Sequence, residues 1–260
     1  MSNAILSVNN LSISFGGLKA VDDLTFEINE GEIYGLIGPN GAGKTTVFNC
    51  ITQFYKPDSG EAIFRNGSET INLMDLKVHD VIKYGIVRTF QNVEVVRELT
   101  ILENVLIGAH KEYKSNLLQQ IFPTKKVLQE EADNIEKAEG ILDQFGLLHL
   151  KDSPVGSQSY GIRKKVEFAR ALMSNPKLII LDEPAAGLND RETEEFAQLI
   201  VDIRKQYDLT ILLIEHDMGL VMGICDRICA INFGRLLTIG SPKDIQNNEE
   251  VQSAYLGVDS

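Results

Sequence analysis

The chain has 260 residues, of which 37 are acidic and 25 are basic, and its formal net charge is −12. Such acidity argues against a nucleic-acid binder and against a binder of anionic membranes, because both need a positive protein field. The composition, with 43% hydrophobic and 24% charged residues, excludes wholesale disorder. The length predicts one large domain or one domain with a sizeable insertion, since domains average about 150 residues.

The cysteines and the apolar runs indicate the compartment. Cys50, Cys225 and Cys229 form no CxxC pair, and no His or further Cys completes a metal set beside them. Scattered cysteines in odd number favour a reducing compartment without structural disulfides. The richest apolar runs, Leu178–Leu181 and Ile211–Ile214, are four residues long, whereas a membrane-spanning helix needs about 20. The N-terminus has no signal-peptide pattern, so we expect a chain that is soluble by itself.

The N-terminal part predicts strands followed by a loop and a helix. Residues 11–15 and 24–28 are apolar at every second position, which is the period of half-buried strands. Residues 33–37 are nearly all apolar, as in the fully buried strands of parallel sheets. A glycine-rich loop follows them, and Lys44–Phe54 is predicted to be a helix.

The middle of the chain is predicted to be mostly helical, from about residue 99 to residue 172. Thr100 and Glu103 predict a capping box for a helix that continues through Ile107. Apolar residues recur at helical spacing between residues 127 and 145. Residues 114–126 carry the weakest pattern and are predicted to form a connection.

The last third returns to alternating strands and helices. Strands are predicted at residues 178–181, 210–214 and 228–233, with an amphipathic helix around residues 196–203. Ser241 as a cap and Pro242 at the first helical position begin a terminal helix. Such alternation implies βαβ units and a parallel sheet. We therefore expect an α/β core of the nucleotide-binding type, interrupted by a helical insertion.

A phosphate-binding loop follows the buried strand at residues 33–37. Its sequence fits GxxxxGK[ST] and comprises Gly38, Pro39, Asn40, Gly41, Ala42, Gly43, Lys44, Thr45 and Thr46. Glycines let backbone N–H groups turn inward around phosphate oxygens, and the following helix presents its positive end. Lys44 can neutralise the β- and γ-phosphates, while the Thr45 hydroxyl can bind Mg²⁺.

Two acids end the apolar strand at residues 178–181. Asp182 and Glu183 would be costly at the end of a buried strand unless they serve a cation or a reacting proton. With the phosphate loop upstream, Asp182 is predicted to bind Mg²⁺, directly or through water, and Glu183 to orient and deprotonate the attacking water. The alternative is an ordinary exit from a strand into a turn, because Pro184 follows.

The phosphate loop and the acidic strand end occur in a fixed order among further motifs, and together they resemble the ATP-binding subunit of an ABC transporter. The resemblance covers nearly the whole chain. The resemblance implies that Phe15 stacks on adenine, although this residue also fits strand core. It implies that Gln91 reaches Mg²⁺ and the water and senses the membrane partner. His216 corresponds to the switch histidine that contacts the γ-phosphate and acts in catalysis with Glu183 and Gln91.

Residues 158–162 align with the family signature LSGGQ. Ser159 and Gly161 are retained, whereas Gln158, Tyr160 and Ile162 differ from the family pattern. The resemblance implies that Ser159 and Gly161 bind the γ-phosphate of ATP held by an opposite subunit. Ile162 cannot supply the amide of the family's glutamine, so the resemblance implies a weaker signature here.

Further short motifs resemble one subgroup, the LivG-type ATPases of branched-chain amino acid importers. The sequences carrying this resemblance are AAGLN at residues 185–189, the SYG form of the signature, IEHDM at residues 214–218, and the tail with Asn247, Asn248 and residues 254–257. The implied fold is a P-loop NTPase core with a mixed, largely parallel sheet, an antiparallel β part near the N-terminus and an inserted helical subdomain. The implied division is a single domain 1–260, with core segments 1–92 and 174–240, a helical signature subdomain 93–173 and a helical tail 241–260.

The implied function is ATP hydrolysis with Mg²⁺ that powers an importer. The implied partners are transmembrane permease subunits, a second ATPase subunit in a homodimer or heterodimer, and indirectly a substrate-binding protein. The implied location is the cytoplasmic face of the membrane, with no nucleic acid involved. Alternatives are transport of urea, other amino acids or lipopolysaccharide, a regulatory nucleotide-binding module with weak hydrolysis, and a non-transport ABC protein of DNA repair or translation.

Overall fold

The computed structural model describes residues 3–89, 93–111 and 125–256. The strands are β1 (Ala4–Phe15), β2 (Leu18–Asn29), β3 (Ile33–Ile37), β4 (Ser59–Asn66), β5 (Glu69–Asn72), β6 (Ile86–Arg88), β7 (Leu178–Asp182), β8 (Thr210–Ile214), β9 (Arg227–Asn232) and β10 (Arg235–Gly240). The α-helices are α1 (Lys44–Ile51), α2 (Val78–Val81), α3 (Ile101–Ile107), α4 (Lys125–Gln144), α5 (Tyr160–Leu172), α6 (Asp190–Tyr207), α7 (Met218–Ile224), α8 (Pro242–Gln246) and α9 (Glu249–Leu256).

A six-stranded sheet carries the predicted catalytic edge. Its order is β10-β9-β3-β8-β7-β6, in which β3 pairs parallel with β8 and β9, and β7 pairs parallel with β6 and β8. Strand β10 runs antiparallel to β9. Every residue of β3, β7 and β8 is buried, as the nearly continuous apolar runs predict. The carboxyl ends of these three neighbouring strands meet at one edge, where α/β proteins bind ligands.

A second sheet of four antiparallel strands has the order β2-β1-β4-β5. The alternating residues 11–15 and 24–28 lie in β1 and β2, as predicted. Strands β4 and β5 were not predicted, since β4 buries only Ala62 and Phe64 and therefore lacks a clear alternating pattern. The inner sides of both sheets contribute to one hydrophobic core, which also contains Val47, Phe48 and Ile51 of α1.

Helix α1 is shorter than the predicted Lys44–Phe54. It ends at Ile51, because Thr52 caps it and Gln53 then adopts a left-handed φ of 64°. Near the C-terminus, Ser241 caps α8 and Pro242 occupies its first turn, as predicted. Asp244 completes a capping box with Ser241, in which its N–H donates to the Ser241 hydroxyl and its carboxylate accepts from the Ser241 N–H.

The chain divides into two compact units. The first comprises Met1–Arg88, Lys177–Ala185 and Thr193–Ser260, and contains both sheets; the second comprises Thr89–Pro176 and Ala186–Glu192. In the second unit, the predicted capping box is present at the start of α3, where the Glu103 N–H donates to Thr100 Oγ1 at 3.1 Å. The predicted connection 114–126 lies outside the described residues except for its last two, which begin α4.

Helix α4 shows how the second unit forms its own core. Its buried residues include Val127, Ala138 and Ile141, at the helical spacing that the sequence predicts. In the same unit, the rings of Phe145 and Phe168 meet edge to face, with their centroids 5.4 Å apart. Within the described ranges, no helix is both long enough and apolar enough to cross a membrane.

Candidate functional site

The phosphate loop connects β3 to α1 and leaves the start of that helix uncovered. Gly43 is the N-cap of α1, adopts a left-handed φ of 101° and provides no side-chain cap. A Cβ atom at Gly43 would lie 2.5 Å from the carbonyl oxygen of Ala20, and one at Gly38 would lie 2.3 Å from that of Ile231. Glycine is therefore required at both positions, and the first N–H groups of α1 remain available to an anion.

Lys44 is buried and folded back onto the loop that precedes it. Its Nζ donates to the carbonyl oxygens of Gly38 at 2.6 Å and of Pro39 at 3.1 Å. Burial lowers the pKa of Lys44, and the carboxylates of Glu183 and Asp182 act in the opposite direction. A phosphate group would offer this ammonium a charged acceptor in place of neutral carbonyls.

A cavity of about 370 Å³ opens over the phosphate loop. Its wall is completed by residues of β2, the turn after β9 and the end of β7, and the lining residues are Leu18, Lys19, Ala20, Asn40, Gly41, Ala42, Gly43, Lys44, Thr45, Thr46, Glu183 and Phe233. This volume is within the range of small-molecule and cofactor sites, about 300–1,000 Å³. The structure thus brings the loop residues 40–46 and Glu183 to one cavity.

The acids at the end of β7 differ in environment. The Asp182 side chain is buried, and its Oδ2 lies 3.2 Å from Nη2 of Arg88. Burial raises the pKa of Asp182, and Arg88 opposes this rise. Glu183 is partly exposed and adopts a left-handed φ of 47°, fixed by its N–H, which donates to the Ile214 carbonyl at 2.8 Å. Such strain in a residue other than glycine is typical of functional sites.

His216 lies beside Glu183, at the end of β8. Its Nδ1 is 3.8 Å from Oε1 of Glu183 and 3.6 Å from Oε2 of Glu215. Glu215 is fully buried, and its carboxylate accepts the backbone N–H groups of Ala185, His216 and Asp217 at 2.8–3.2 Å. Glu215 therefore connects the segment after Glu183 to the segment that carries His216.

Sequence reasoning missed Glu215 and Arg88 as parts of this edge. Glu215 follows a buried strand directly, which is the same signal that identified Asp182. Arg88 ends β6, and the parallel pairing of β6 with β7 sets it opposite Ile180, close to Asp182. A basic residue at the end of one strand and an acid at the end of another are a signal only once the two strands are known to be neighbours.

The donor set fits a nucleotide together with a divalent cation. The loop supplies N–H groups and an ammonium, the exposed Thr45 supplies a hydroxyl at the start of α1, and Asp182 supplies a carboxylate. Among residues 3–89, 93–111 and 125–256, no group of three or more His, Cys, Asp or Glu side chains could hold a metal ion. A cation at this site would therefore take further oxygens from the phosphates and from water, as Mg²⁺ commonly does.

The signature residues lie in the second unit, at the start of α5. The Ser159 hydroxyl caps this helix by accepting the N–H of Ile162 at 3.4 Å. A Cβ atom at Gly161 would lie 3.1 Å from Oε1 of Glu192. Tyr160, which replaces a family glycine, packs its ring against Gly187, where a Cβ atom would come within 3.0 Å of it.

Phe15 is not among the residues that line the cavity, and neither are Gly38, Pro39, Asp182 and His216. Phe15 is 44% exposed, and its ring meets Tyr55 edge to face with centroids 5.2 Å apart. This ring is accessible to a ligand, so stacking on adenine stays a prediction. Gln91 lies outside the described residues.

Comparison with protein families matches two parts of the chain. Residues 21–186 match the family described as ABC transporter. Residues 235–260 match the family described as branched-chain amino acid ATP-binding cassette transporter. The first match contains the phosphate loop, the acidic strand end and the signature; the second contains β10 and the C-terminal helices.

Curated relatives and solved structures agree with these matches. The chain is 44% identical to the high-affinity branched-chain amino acid transport ATP-binding protein LivG of Salmonella typhimurium, over 99% of both chains. It is 42% identical to the corresponding protein BraF of Pseudomonas aeruginosa, also over 99% of both chains. A crystal structure of the ADP conformation of an ATP-binding cassette of an ABC transporter shares 34% identity and a TM-score of 0.83, covering 98% of this chain and 99% of that one.

These findings confirm the resemblance and the predicted α/β P-loop fold. The cavity over the phosphate loop, with the acidic edge beside it, is the candidate nucleotide site. The chain belongs to the ABC transporter family, in which it is an ATP-binding subunit with ATPase activity.

Proposed function

We propose that this chain powers the import of branched-chain amino acids through separate transmembrane subunits. The observation that carries this proposal is the match of residues 235–260 to a family named for branched-chain amino acid transporters, since this segment lies outside the general ATP-binding region. The relatives LivG and BraF, which are branched-chain amino acid transport ATP-binding proteins, support the same substrate class. Urea, other amino acids and lipopolysaccharide are the competing cargoes.

The phosphate loop binds the nucleotide in this proposal. Its N–H groups and Lys44 hold the phosphates, and Thr45 and Asp182 hold Mg²⁺. When bound, Mg²⁺ neutralises the negative charge on the phosphate oxygens. Lys44 exchanges its two carbonyl acceptors for phosphate oxygens, so its buried charge becomes paired. Phe15 provides an accessible ring for the adenine.

Glu183 orients the attacking water and accepts its proton. The carboxylate lines the cavity and lies at the end of β7, where its left-handed backbone fixes its direction. His216 contacts the γ-phosphate and lies within 3.8 Å of Glu183. Gln91 contributes to the same reaction and senses the membrane partner. Catalysis is then mostly positioning and charge neutralisation, as in other P-loop ATPases.

Ser159 and Gly161 serve the nucleotide of a second ATPase subunit. Each ATP then lies between the phosphate loop of one subunit and the signature of the other, in a homodimer or a heterodimer. We assign residues 1–92 and 174–240 to the nucleotide-binding core, 93–173 to the signature subdomain and 241–260 to the tail. The two compact units, which assign Thr89–Pro176 to the second one, support this division.

The partners are permease subunits, a second ATPase subunit and, indirectly, a substrate-binding protein. The chain then works at the cytoplasmic face of the membrane, held there by the permeases. Because the chain as a whole is so acidic, the positive charge that attracts ATP comes from local groups: Lys44, helix N-termini and Mg²⁺.

Reconstitution tests the proposal. The chain is assembled in liposomes with the permeases and the binding protein of its own gene cluster, and uptake of labelled leucine is measured with ATP on the side of the ATPase. We expect ATP-dependent uptake of leucine, isoleucine and valine, which Glu183→Gln abolishes. Uptake of urea or a polar amino acid in place of these three would contradict the assigned cargo.

A further inference from the structure

We propose that Arg88 is a positioning residue that holds the two Mg²⁺-binding side chains, Thr45 and Asp182, in register. The inference rests on the proposed function, because it takes Mg²⁺ as the cofactor of these two residues. It assigns a role to a side chain that neither the phosphate loop nor the acidic strand end includes. The two residues belong to different elements, α1 and β7, so something must fix one element relative to the other.

On the β7 side, Arg88 fixes the carboxylate of Asp182. Its Nη2 lies 3.2 Å from Oδ2, with both side chains largely buried. This contact engages one oxygen and restricts rotation of the carboxylate, so we assign the other oxygen, Oδ1, to the cation. Outer partners of this kind orient metal-binding carboxylates in many proteins.

On the α1 side, Arg88 fixes the helix that begins with Lys44 and Thr45. Its Nη1 donates to Oδ1 of Asn49 at 3.0 Å, and its guanidinium lies 4.0 Å from the centroid of the Phe48 ring. Asn49 follows Thr45 by four residues, so the two share one face of α1. A single guanidinium therefore connects Asp182 with the helix face that presents the Thr45 hydroxyl.

A second arginine in the same unit provides a matched control. Nη1 of Arg227 lies 3.1 Å from Oε1 of Glu32, and its guanidinium lies 5.3 Å from the Tyr34 ring. This pair has the same chemistry, a carboxylate and an aromatic ring, but among the residues that the structure describes it contacts none of the proposed site. A purely structural ion pair would give Arg88 and Arg227 the same consequences on substitution.

The test measures metal binding and nucleotide binding separately. Arg88→Met, Arg88→Lys, Asn49→Ala and Arg227→Met are prepared in the full chain, and their folding is checked by circular dichroism. Mn²⁺, as a probe for Mg²⁺, is titrated into each chain saturated with ATP and followed by electron paramagnetic resonance. The affinity for a fluorescent ATP analogue is measured in parallel in the presence of a chelator.

We expect Arg88→Met to weaken Mn²⁺ binding by about tenfold, the lower end of the effect of removing an outer partner of a metal ligand. Asn49→Ala, which removes the hydrogen bond from Arg88 to α1, should weaken Mn²⁺ binding by about threefold, with Arg88→Lys between the two. Metal-free nucleotide affinity should stay within about twofold of wild type in all three. Arg227→Met should change neither quantity.

Wild-type Mn²⁺ affinity in folded Arg88→Met would overturn the inference, and so would an equal loss in Arg227→Met. If Arg88→Met does not fold, Asn49→Ala decides, and its unchanged Mn²⁺ affinity would overturn the inference as well. A wild-type chain that binds no Mn²⁺ with ATP would instead contradict the proposed function. The two failures are therefore distinguishable.

Discussion

The two helix starts that the family uses for phosphate are built differently in this chain. Helix α1 begins after Gly43, which provides no side-chain cap. Its first residue is Lys44, whose ammonium is buried. Helix α5 begins after Ser159, whose own hydroxyl already accepts the N–H of Ile162. The first start therefore offers uncovered N–H groups and a charge, while the second has part of its capacity satisfied internally. We expect the first to bind nucleotide alone and the second to act only on a nucleotide bound elsewhere.

The largest expected effect separates ATP binding from ATP hydrolysis at the start of α1. Glu183→Gln removes the proton acceptor but keeps the size of the side chain, so ATP turnover of the assembled transporter should fall by about 100-fold to 10,000-fold. Affinity for ATP should be retained, because the loop and Lys44 are unchanged. The measurement pairs phosphate release with titration of a fluorescent ATP analogue. Full ATPase activity in this variant would remove Glu183 from its assigned role.

The next effect tests the charge at the start of α1. Lys44→Ala should weaken ATP binding by about 10-fold to 100-fold, since hydrogen bonds to charged groups contribute about 1.5–3 kcal/mol each. Lys19→Ala is the control, because Lys19 lines the same cavity but pairs with Asp22. Direct titration of both variants checks the prediction. Equal losses in both would mean that only the general positive charge of the cavity matters.

A smaller effect is expected from restoring the family's glutamine at the start of α5. Ile162→Gln adds an amide near the N-terminus of α5, and we expect turnover of the assembled transporter to rise by about threefold, the contribution of one additional hydrogen bond. ATP affinity of the isolated chain should not change. Phosphate release per transporter is the readout. Lower turnover in the variant would indicate that the isoleucine is adapted to its partner and that the second start is complete as it stands.

The smallest expected effect is a pH dependence of the stability, which comes from Asp182 beside the phosphate loop. The pKa of Asp182 is raised above its ordinary value of 3.8, so the native state holds this proton when the unfolded state has lost it. Stability from this group therefore falls as pH rises from 3.8 through the raised pKa. Asp182→Asn should remove that fall in urea unfolding of the nucleotide-free chain.

Asp22→Asn supplies a control of opposite sign. Hydrogen bonds from Lys19 and then Arg235 lower the pKa of Asp22, so its contribution to stability is present above 3.8 and is lost as pH falls through the lowered pKa. Asp22→Asn should therefore lose stability at neutral pH relative to acid pH. Identical pH profiles for wild type and Asp182→Asn would show that burial of Asp182 has no thermodynamic consequence.

Local sequence spacing was enough to predict the phosphate loop and the start of α1. The loop Gly38–Thr46 is contiguous, and its function depends on backbone conformations that glycine and a following helix impose at short range. The buried strands β3, β7 and β8 were predicted for the same reason, since each is a short apolar run. The bounds of α1 were less accurate, because its end depends on the left-handed Gln53.

Contacts between distant segments could not be predicted in the same way. Arg88 and Asp182 are separated by 94 positions and meet only because β6 pairs with β7. Strands β4 and β5 were missed because they depend on pairing, of β4 with β1 and of β5 with β4, rather than on their own apolar pattern. The sequence similarly gives no sign that the ring of Tyr160 packs against Gly187.

The central claim is that the start of α1 binds nucleotide by itself and the start of α5 does not. A fluorescent ATP analogue titrated into the isolated chain tests it, with Lys44→Ala and Ser159→Ala compared side by side. We predict that Ser159→Ala binds as wild type does, although loss of the cap destabilises α5 by about 1 kcal/mol, while Lys44→Ala loses most of its affinity. A loss in Ser159→Ala as large as that in Lys44→Ala would contradict the account.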